Sequence, residues 1–252
     1  MNIDFFPDGP AVQIEEESRI LFFADIHMGI EHELQKHGFH FRTKGKERIT
    51  RICNLIKEAE PDLVVILGDV KHRIPGTSFQ EFYELQDLFL AIRKISPFCV
   101  TPGNHDPGIE EFLKPEEIRN KEGSLIDQVG ALHGHMVPDP AIQGRLILCG
   151  HHHPIVSLSD QVGVALRTPC FILGELDPHI FSEENNEDEI SRILMVPSCN
   201  ELTGYGIEKT FRSPFSPLSR SLVIESAEIL LPDGTYAGDL LSHLQNDTKA
   251  SS

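Results

Sequence analysis

Five short apolar runs in this chain each stop at a carboxylate, an amide or a histidine. The runs at 20–24, 63–67, 98–101, 131–132 and 146–149 lead into Asp25 and His27, Gly68 and Asp69, Gly103 to His105, His133, and Gly150 with His151. Runs of this kind, without alternation of polar residues, predict strands covered on both faces. Helical patterns lie between the early runs. Residues 44–59 carry Ile49, Ile52, Leu55, Ile56 and Ala59 at helical spacing, and Pro61 follows as a stop. Residues 78–95 carry Phe82, Leu85, Leu88, Phe89 and Ile92, with Ser78 and Glu81 as a capping box. Strand–helix–strand alternation predicts an α/β fold. Beyond residue 145 the chain turns strand-rich, at 162–167, 171–173, 193–196 and 220–231.

A length of 252 residues is ample for one buried core. No internal repeat or boundary interrupts residues 1–245, so one domain is expected. Residues 182–190 begin with SEENNEDE and read as an acidic solvated loop, 213–219 as a connection, and 246–252 as a flexible tail. The net charge of −17 gives little bulk attraction for nucleic acid or anionic membrane. Cys53, Cys99, Cys149, Cys170 and Cys199 are odd in number and form no CxxC pair, which argues against a disulfide framework or a cysteine zinc site. The N-terminus has no signal-peptide pattern and no apolar run spans a bilayer, so a cytoplasmic protein without membrane contact is expected.

Chemistry concentrates at the strand ends: DIH (Asp25, His27), GD (Asp69), GNHD (Asn104, His105, Asp106), HGH (His133, His135) and GHHH (His151 to His153). Carboxylate, amide oxygen and imidazole together suit manganese, iron or zinc rather than calcium. In an extended segment, residues i and i+2 point to one side, so Asp25 and His27 can share an ion, as can His151 and His153. Asp69 sits between the other blocks and could bridge two ions. One such block alone would be unremarkable strand-end polarity; all of them in order make a metal centre the stronger reading.

The order DxH, GD, GNHD, H, GHxH resembles the calcineurin-like metallophosphoesterase superfamily. ADIHMGIEHELQKHG, LGDVKH, GNHD, CGHHHP, LRTPCF and VPSCNELTGYG resemble its SbcD-related archaeal members and the PdeM-type enzymes encoded beside DNA ligases and helicases. The resemblance implies a four-layer α-β-β-α sandwich. It implies one metal on Asp25, His27, Asp69 and His153, and another on Asp69, Asn104, His133 and His151. His105 matches the histidine that touches the phosphate or protonates the leaving group, and Asp106 its orienting partner. The implied cofactor is two divalent ions, Mn²⁺ first, with Fe, Zn or Ni as alternatives. The implied reaction is phosphodiester hydrolysis, with two ions roughly 3.5–4 Å apart and a bridging hydroxide attacking in line.

Two substrate classes stay open: DNA, as in a repair-associated nuclease, and cyclic nucleotides or other small diesters. A non-catalytic scaffold is the reading from a different class. DNA-repair proteins and a second copy of the chain are the candidate partners. The sequence departs from the common GDxxD pattern, with His72 at the second acidic position. His72 then reads as a ligand's hydrogen-bond partner or a surface residue. His135 is the alternative ligand to His133. Lys36, Arg42, Lys44, Lys46, Arg48 and Arg51 form a basic run that is either a solvated helix face or a phosphate-gripping rim. Arg167 either holds a phosphate or pairs with a carboxylate. Asn200, Thr203 and Gly204 read as a turn near the site, and His32, His37 and His40 as residues of the cleft edge or surface.

Overall fold

The computed structural model describes residues 1–39, 43–159, 165–181 and 189–250. A first sheet has the order β1-β2-β3-β4-β5, from Asn2–Phe6, Ala11–Glu15, Arg19–Phe23, Leu63–Ile66 and Phe98–Val100. β1 to β3 form an antiparallel meander; β3, β4 and β5 run parallel. The helices α1 (Ile30–Lys36), α2 (Gly45–Ala59) and α3 (Phe79–Arg93) connect them.

The second sheet has seven strands. β6 (Ser124–Ile126), β7 (Val129–Leu132), β8 (Leu146–Cys149), β11 (Phe171–Leu176), β12 (Ser191–Met195), β14 (Leu222–Leu230) and β15 (Tyr236–Asp239) take the order β15-β14-β11-β12-β8-β7-β6. Its centre, β7, β8 and β12, is parallel. A small third sheet joins β10 (Ala165–Pro169), β9 (Pro154–Ser159) and β13 (Tyr205–Gly206). The remaining helices are α4 (Ile207–Arg212), α5 (Pro217–Ser221) and α6 (Leu240–Ala250).

Period-two side chains sort these elements into layers. Ile20, Phe22 and Val65 of the first sheet meet Ala131, Leu148, Phe171 and Leu194 of the second, so the two sheets face each other. Leu21, Phe23, Val64 and Ile66 point the other way, onto Ile52, Ile56, Leu85 and Phe89 of α2 and α3. Ile147, Ile172, Ile193 and Met195 point onto Ile207, Phe211, Leu218 and Leu240 of α4 to α6. The result is the expected four-layer α-β-β-α sandwich.

The expected helix boundaries fit closely, and the Ser78–Glu81 capping box is present, with the Glu81 amide donating to Ser78 Oγ. Three features differ. The β1–β2 hairpin and α1 stand where no element was expected. The connection at 213–219 includes the start of α5. The last helix continues to Ala250, four residues past the expected start of a tail. The acidic loop lies mostly outside the described residues. No helix among the described residues is long and apolar enough to cross a membrane.

Candidate metal centre

All five chemistry-bearing blocks follow the carboxyl ends of parallel strands: DIH after β3, GD after β4, GNHD after β5, HGH after β7 and GHHH after β8. The two sheets lie face to face, so one edge of the sandwich gathers every block, the usual place for a site in such sheets. The segment after β12 joins them. Ser198 bridges to Ala24, and its hydroxyl donates to the Asp25 carbonyl at 2.7 Å.

The local backbone differs from the extended DIH and GHHH segments expected. Asp25 (φ 56°), His27 (46°), Asp69 (45°), His151 (70°) and His153 (42°) are all left-handed. They are five of the seven non-glycine residues in that region among the described residues. Asp and His tolerate it better than most, yet each such position carries about 1–3 kcal/mol of strain that the surroundings must impose. The side chains converge through these tight turns, not through the pleat of a strand.

Two clusters result, sharing one residue. Asp25, His27, Asp69 and His153 bring four ligand atoms within 4.8 Å of one another, and Asp69, His133 and His151 bring three. Asn104 joins the second, with Oδ1 3.2 Å from His133 Nε2. Asp69 Oδ2 lies 3.7 Å from His27 Nε2 and 3.5 Å from His133 Nε2, between the two groups. Its other oxygen accepts from the His105 amide at 2.8 Å. This close packing requires glycine at 103, where a Cβ would stand 2.1 Å from Asp69 Oδ1.

The donor set fits divalent cations on the evidence of its protons. His133 Nδ1 faces the Leu67 carbonyl at 2.9 Å and donates to it. Its Nε2 therefore carries a lone pair, which points at His151 Nδ1 (3.1 Å), the Asn104 oxygen and Asp69. His27 Nε2 and His153 Nε2 meet at 3.4 Å beside Asp25 and Asp69. Imidazole nitrogens, an amide oxygen and carboxylates that converge in this way form a donor set suited to a divalent cation.

Acidities agree. Burial, then the charges of Asp25 and Asp106, pushes Asp69 up to about 9. Burial raises Asp25 as well. Burial, followed by the neighbouring histidines, drives His27 and His133 well below their usual range and His151 to about 2. Without a cation the pocket favours neutral side chains; a divalent ion reverses that preference for the carboxylates.

His105 lies at the cleft with its Nδ1 donating to the His72 carbonyl at 2.5 Å, which leaves Nε2 free. The expected orienting role of Asp106 is corrected here. Asp106 is buried and its carboxylate accepts from the amides of Gly103, Val70 and Lys71. It holds the loop, and the ring of His105 is oriented by His72 O. His72 also sets its Nδ1 3.2 Å from His27 Nδ1 and lines the cleft. His27, His72 and His105 form a third nitrogen cluster. His135 stands outside the clusters, its ring 5.2 Å from that of His133 and its Nδ1 buried without a partner. His152 is buried, with Nε2 2.7 Å from Ser216 Oγ.

Among the described residues, no side chain of the basic run lines the cleft. Arg48 is buried and pairs with Glu31 at 2.8 Å; it also donates to Asn200 Oδ1. Lys44 pairs with Glu201 at 3.1 Å, and Arg51 donates to the Cys199 carbonyl. The apolar face of α2 turns these residues toward the segment after β12 instead of the cleft. Arg42 and His40 lie outside the described residues. Arg167 is exposed on β10 and does not line the cleft. Asn200 does more than turn the chain: its Nδ2 donates to Ile26 O at 2.8 Å, clamping the DIH loop.

The cleft over the clusters encloses about 500 Å³ and is lined by His27, Asp69, His72, Asn104, His105, His151 and His153, with Leu202, Tyr205 and Phe215 on one wall. A larger groove of about 690 Å³, between the β1–β2 turn and α2, shares no residue with it. Sequence reasoning missed Tyr205 and Phe215. The only available signal was a tyrosine and a phenylalanine beside predicted turns in a chain poor in aromatics.

A sandwich of two sheets with paired carboxylate–imidazole clusters at one edge is the arrangement of a metal-dependent phosphoesterase. A model of the family described as calcineurin-like phosphoesterase matches residues 18–211, and the chain belongs to that family. Among solved structures, Pseudomonas putida nuclease MPE aligns over 92% of this chain and 98% of its own at 18% identity, with a TM-score of 0.51, a likeness of fold. Yfce, a phosphoesterase from E. coli, aligns over 56% of this chain and 73% of its own at 20% identity and a TM-score of 0.35.

Proposed function

We propose that this phosphoesterase hydrolyses phosphodiesters with two divalent ions, Mn²⁺ by preference. One would sit on Asp25, His27, Asp69 and His153, and the other on Asp69, Asn104, His133 and His151. The observation that carries the reading is the pair of clusters sharing Asp69, with His105 left free beside them. Bound divalent ions supply Lewis-acid charge to phosphoryl oxygens and lower the pKa of a water nucleophile. The chain's residues do the rest. Asp69, pinned by the His105 amide, fixes the spacing of the two positions. His133 is held in one tautomer by Leu67 O, so Nε2 always faces inward. His105 offers Nε2 to a phosphoryl oxygen or to the departing alkoxide, within reach for general acid catalysis. The test is a panel of mono-, di- and cyclic phosphoesters with single- and double-stranded DNA, run with several metals. Turnover of diesters, lost on chelation, is the expected result; no turnover with any divalent metal would sink the proposal.

A further inference from the structure

Beside the metal centre, Tyr205 and Phe215 are exposed, 46% and 47% respectively, yet neither ring is loosely placed. The Tyr205 ring stacks on that of His153, with centroids 5.6 Å apart and planes 26° apart. Phe215 meets the His151 ring edge-on at 5.3 Å, and the two aromatics are 6.0 Å apart. Both are anchored to the GHHH block. The Tyr205 amide donates to the His153 carbonyl at 2.9 Å, and β13 pairs with the start of β9. Gly204 permits this approach, since a Cβ there would fall 2.0 Å from Ile155 Cδ1. Phe215 precedes Ser216, which caps α5 and holds His152 Nε2 at 2.7 Å. One three-residue segment thus supplies two candidate ligands and fixes two exposed aromatic rings.

The rings also divide two hollows. On one side is the metal cleft; on the other is a pocket of about 250 Å³ lined by Tyr205, Lys209, Thr210, Ser213 and Phe215. Lys209 is exposed there. The proposed metal centre, two aromatic rings tilted by 56° to each other beside it, and a lysine beyond them follow the order of a nucleic acid strand: phosphate, base, phosphate.

We propose that Tyr205 and Phe215 are a stacking platform for the nucleobase next to the scissile phosphate, with Lys209 facing the following phosphate. This rests on the phosphodiesterase reading and names the residues that would hold its substrate. Bases stack on aromatic side chains with little dependence on sequence, whereas paired bases are withheld from such contact. The two rings are positioned by backbone contacts before a ligand arrives, so little ordering opposes stacking.

The experiment compares oligothymidylate with an abasic strand of the same length, using the full chain loaded with Mn²⁺ and bis(p-nitrophenyl) phosphate as a reference diester. The wild type should favour the base-bearing strand by about tenfold in kcat/KM. In Tyr205→Ala/Phe215→Ala that ratio should fall to about one, while Tyr205→Phe keeps it. A second readout needs no turnover. The chain has no tryptophan and three tyrosines, so oligothymidylate bound to the metal-loaded, inactive His105→Ala variant should quench tyrosine emission, and adding Tyr205→Phe should abolish that quench. Equal handling of both strands by a wild type that hydrolyses the reference diester overturns the platform alone. Failure to hydrolyse the reference diester instead overturns the phosphodiesterase reading.

Discussion

Substituting Gly103 with Ala probes how closely the backbone defines the metal centre. The new Cβ would lie 2.1 Å from Asp69 Oδ1 and 2.6 Å from the Asp69 amide nitrogen, where contacts under 3.0 Å do not occur. Gly103 is not in the left-handed region, so its backbone preference adds nothing and the whole effect is steric. Relief requires Asp69 to move by roughly 1 Å, a misplacement that lowers turnover by about 10². The same carboxylate sits between both clusters, so the shift disturbs both at once. Overpacking should also remove about 1–3 kcal/mol of stability, with Tm falling about 2–4 °C for each kcal/mol in a chain of this size. The assay is hydrolysis of bis(p-nitrophenyl) phosphate at saturating Mn²⁺, with metal content and a thermal melt on the same sample. A variant with full turnover and wild-type metal content would refute the claim that Gly103 holds Asp69 in place.

Three further outcomes follow from the geometry. Arg48→Ala strands the buried Glu31 carboxylate and removes a partner of Asn200; urea unfolding should show a loss of about 3–5 kcal/mol. His105→Ala should keep its metal content in elemental analysis and lose turnover, and unchanged activity would refute the role assigned to His105. In chelated protein, Asp69 is raised to about 9 in the folded state from 3.8, so the folded state keeps a proton that the unfolded state has released. Above about pH 7.5, a unit over the ordinary imidazole value, His27, His133 and His151 are largely neutral whether folded or not, because folding only lowers them. Between about pH 7.5 and about 9 the metal-free protein should therefore lose stability as pH rises, by up to about 1.4 kcal/mol per pH unit per proton. The stabilisation on adding Mn²⁺ should grow over the same window; scanning calorimetry with and without chelator reads both.

The α/β character was legible because the central strands are buried on both faces and end in residues that few strands tolerate, whereas the four-layer sandwich followed from the family resemblance. Runs such as 63–67 admit little else. The β1–β2 hairpin was not legible: β1 is short and largely exposed, so it shows no buried periodicity. The grouping of Asp25, His27, Asp69 and His153 was readable from motif order, but not its cause. The left-handed turns at four of those residues arise from tertiary contacts such as the Asp25 amide on Gly68 O and the His27 amide on Asp69 O. Arg48 looked like one charge in a basic run, since its partners lie 17 and 152 residues away. Tyr205 and Phe215 carried no pattern because neither belongs to a periodic face.

The central claim is that two ions act together on one phosphodiester. Chelated protein should be titrated with Mn²⁺ while hydrolysis of bis(p-nitrophenyl) phosphate and bound metal are followed in parallel. Activity that rises until two equivalents are bound per chain, and is lost in Asp69→Ala with metal content reduced, is the predicted result. Full activity at one equivalent, or a chain that binds two ions and hydrolyses no phosphodiester, would contradict it.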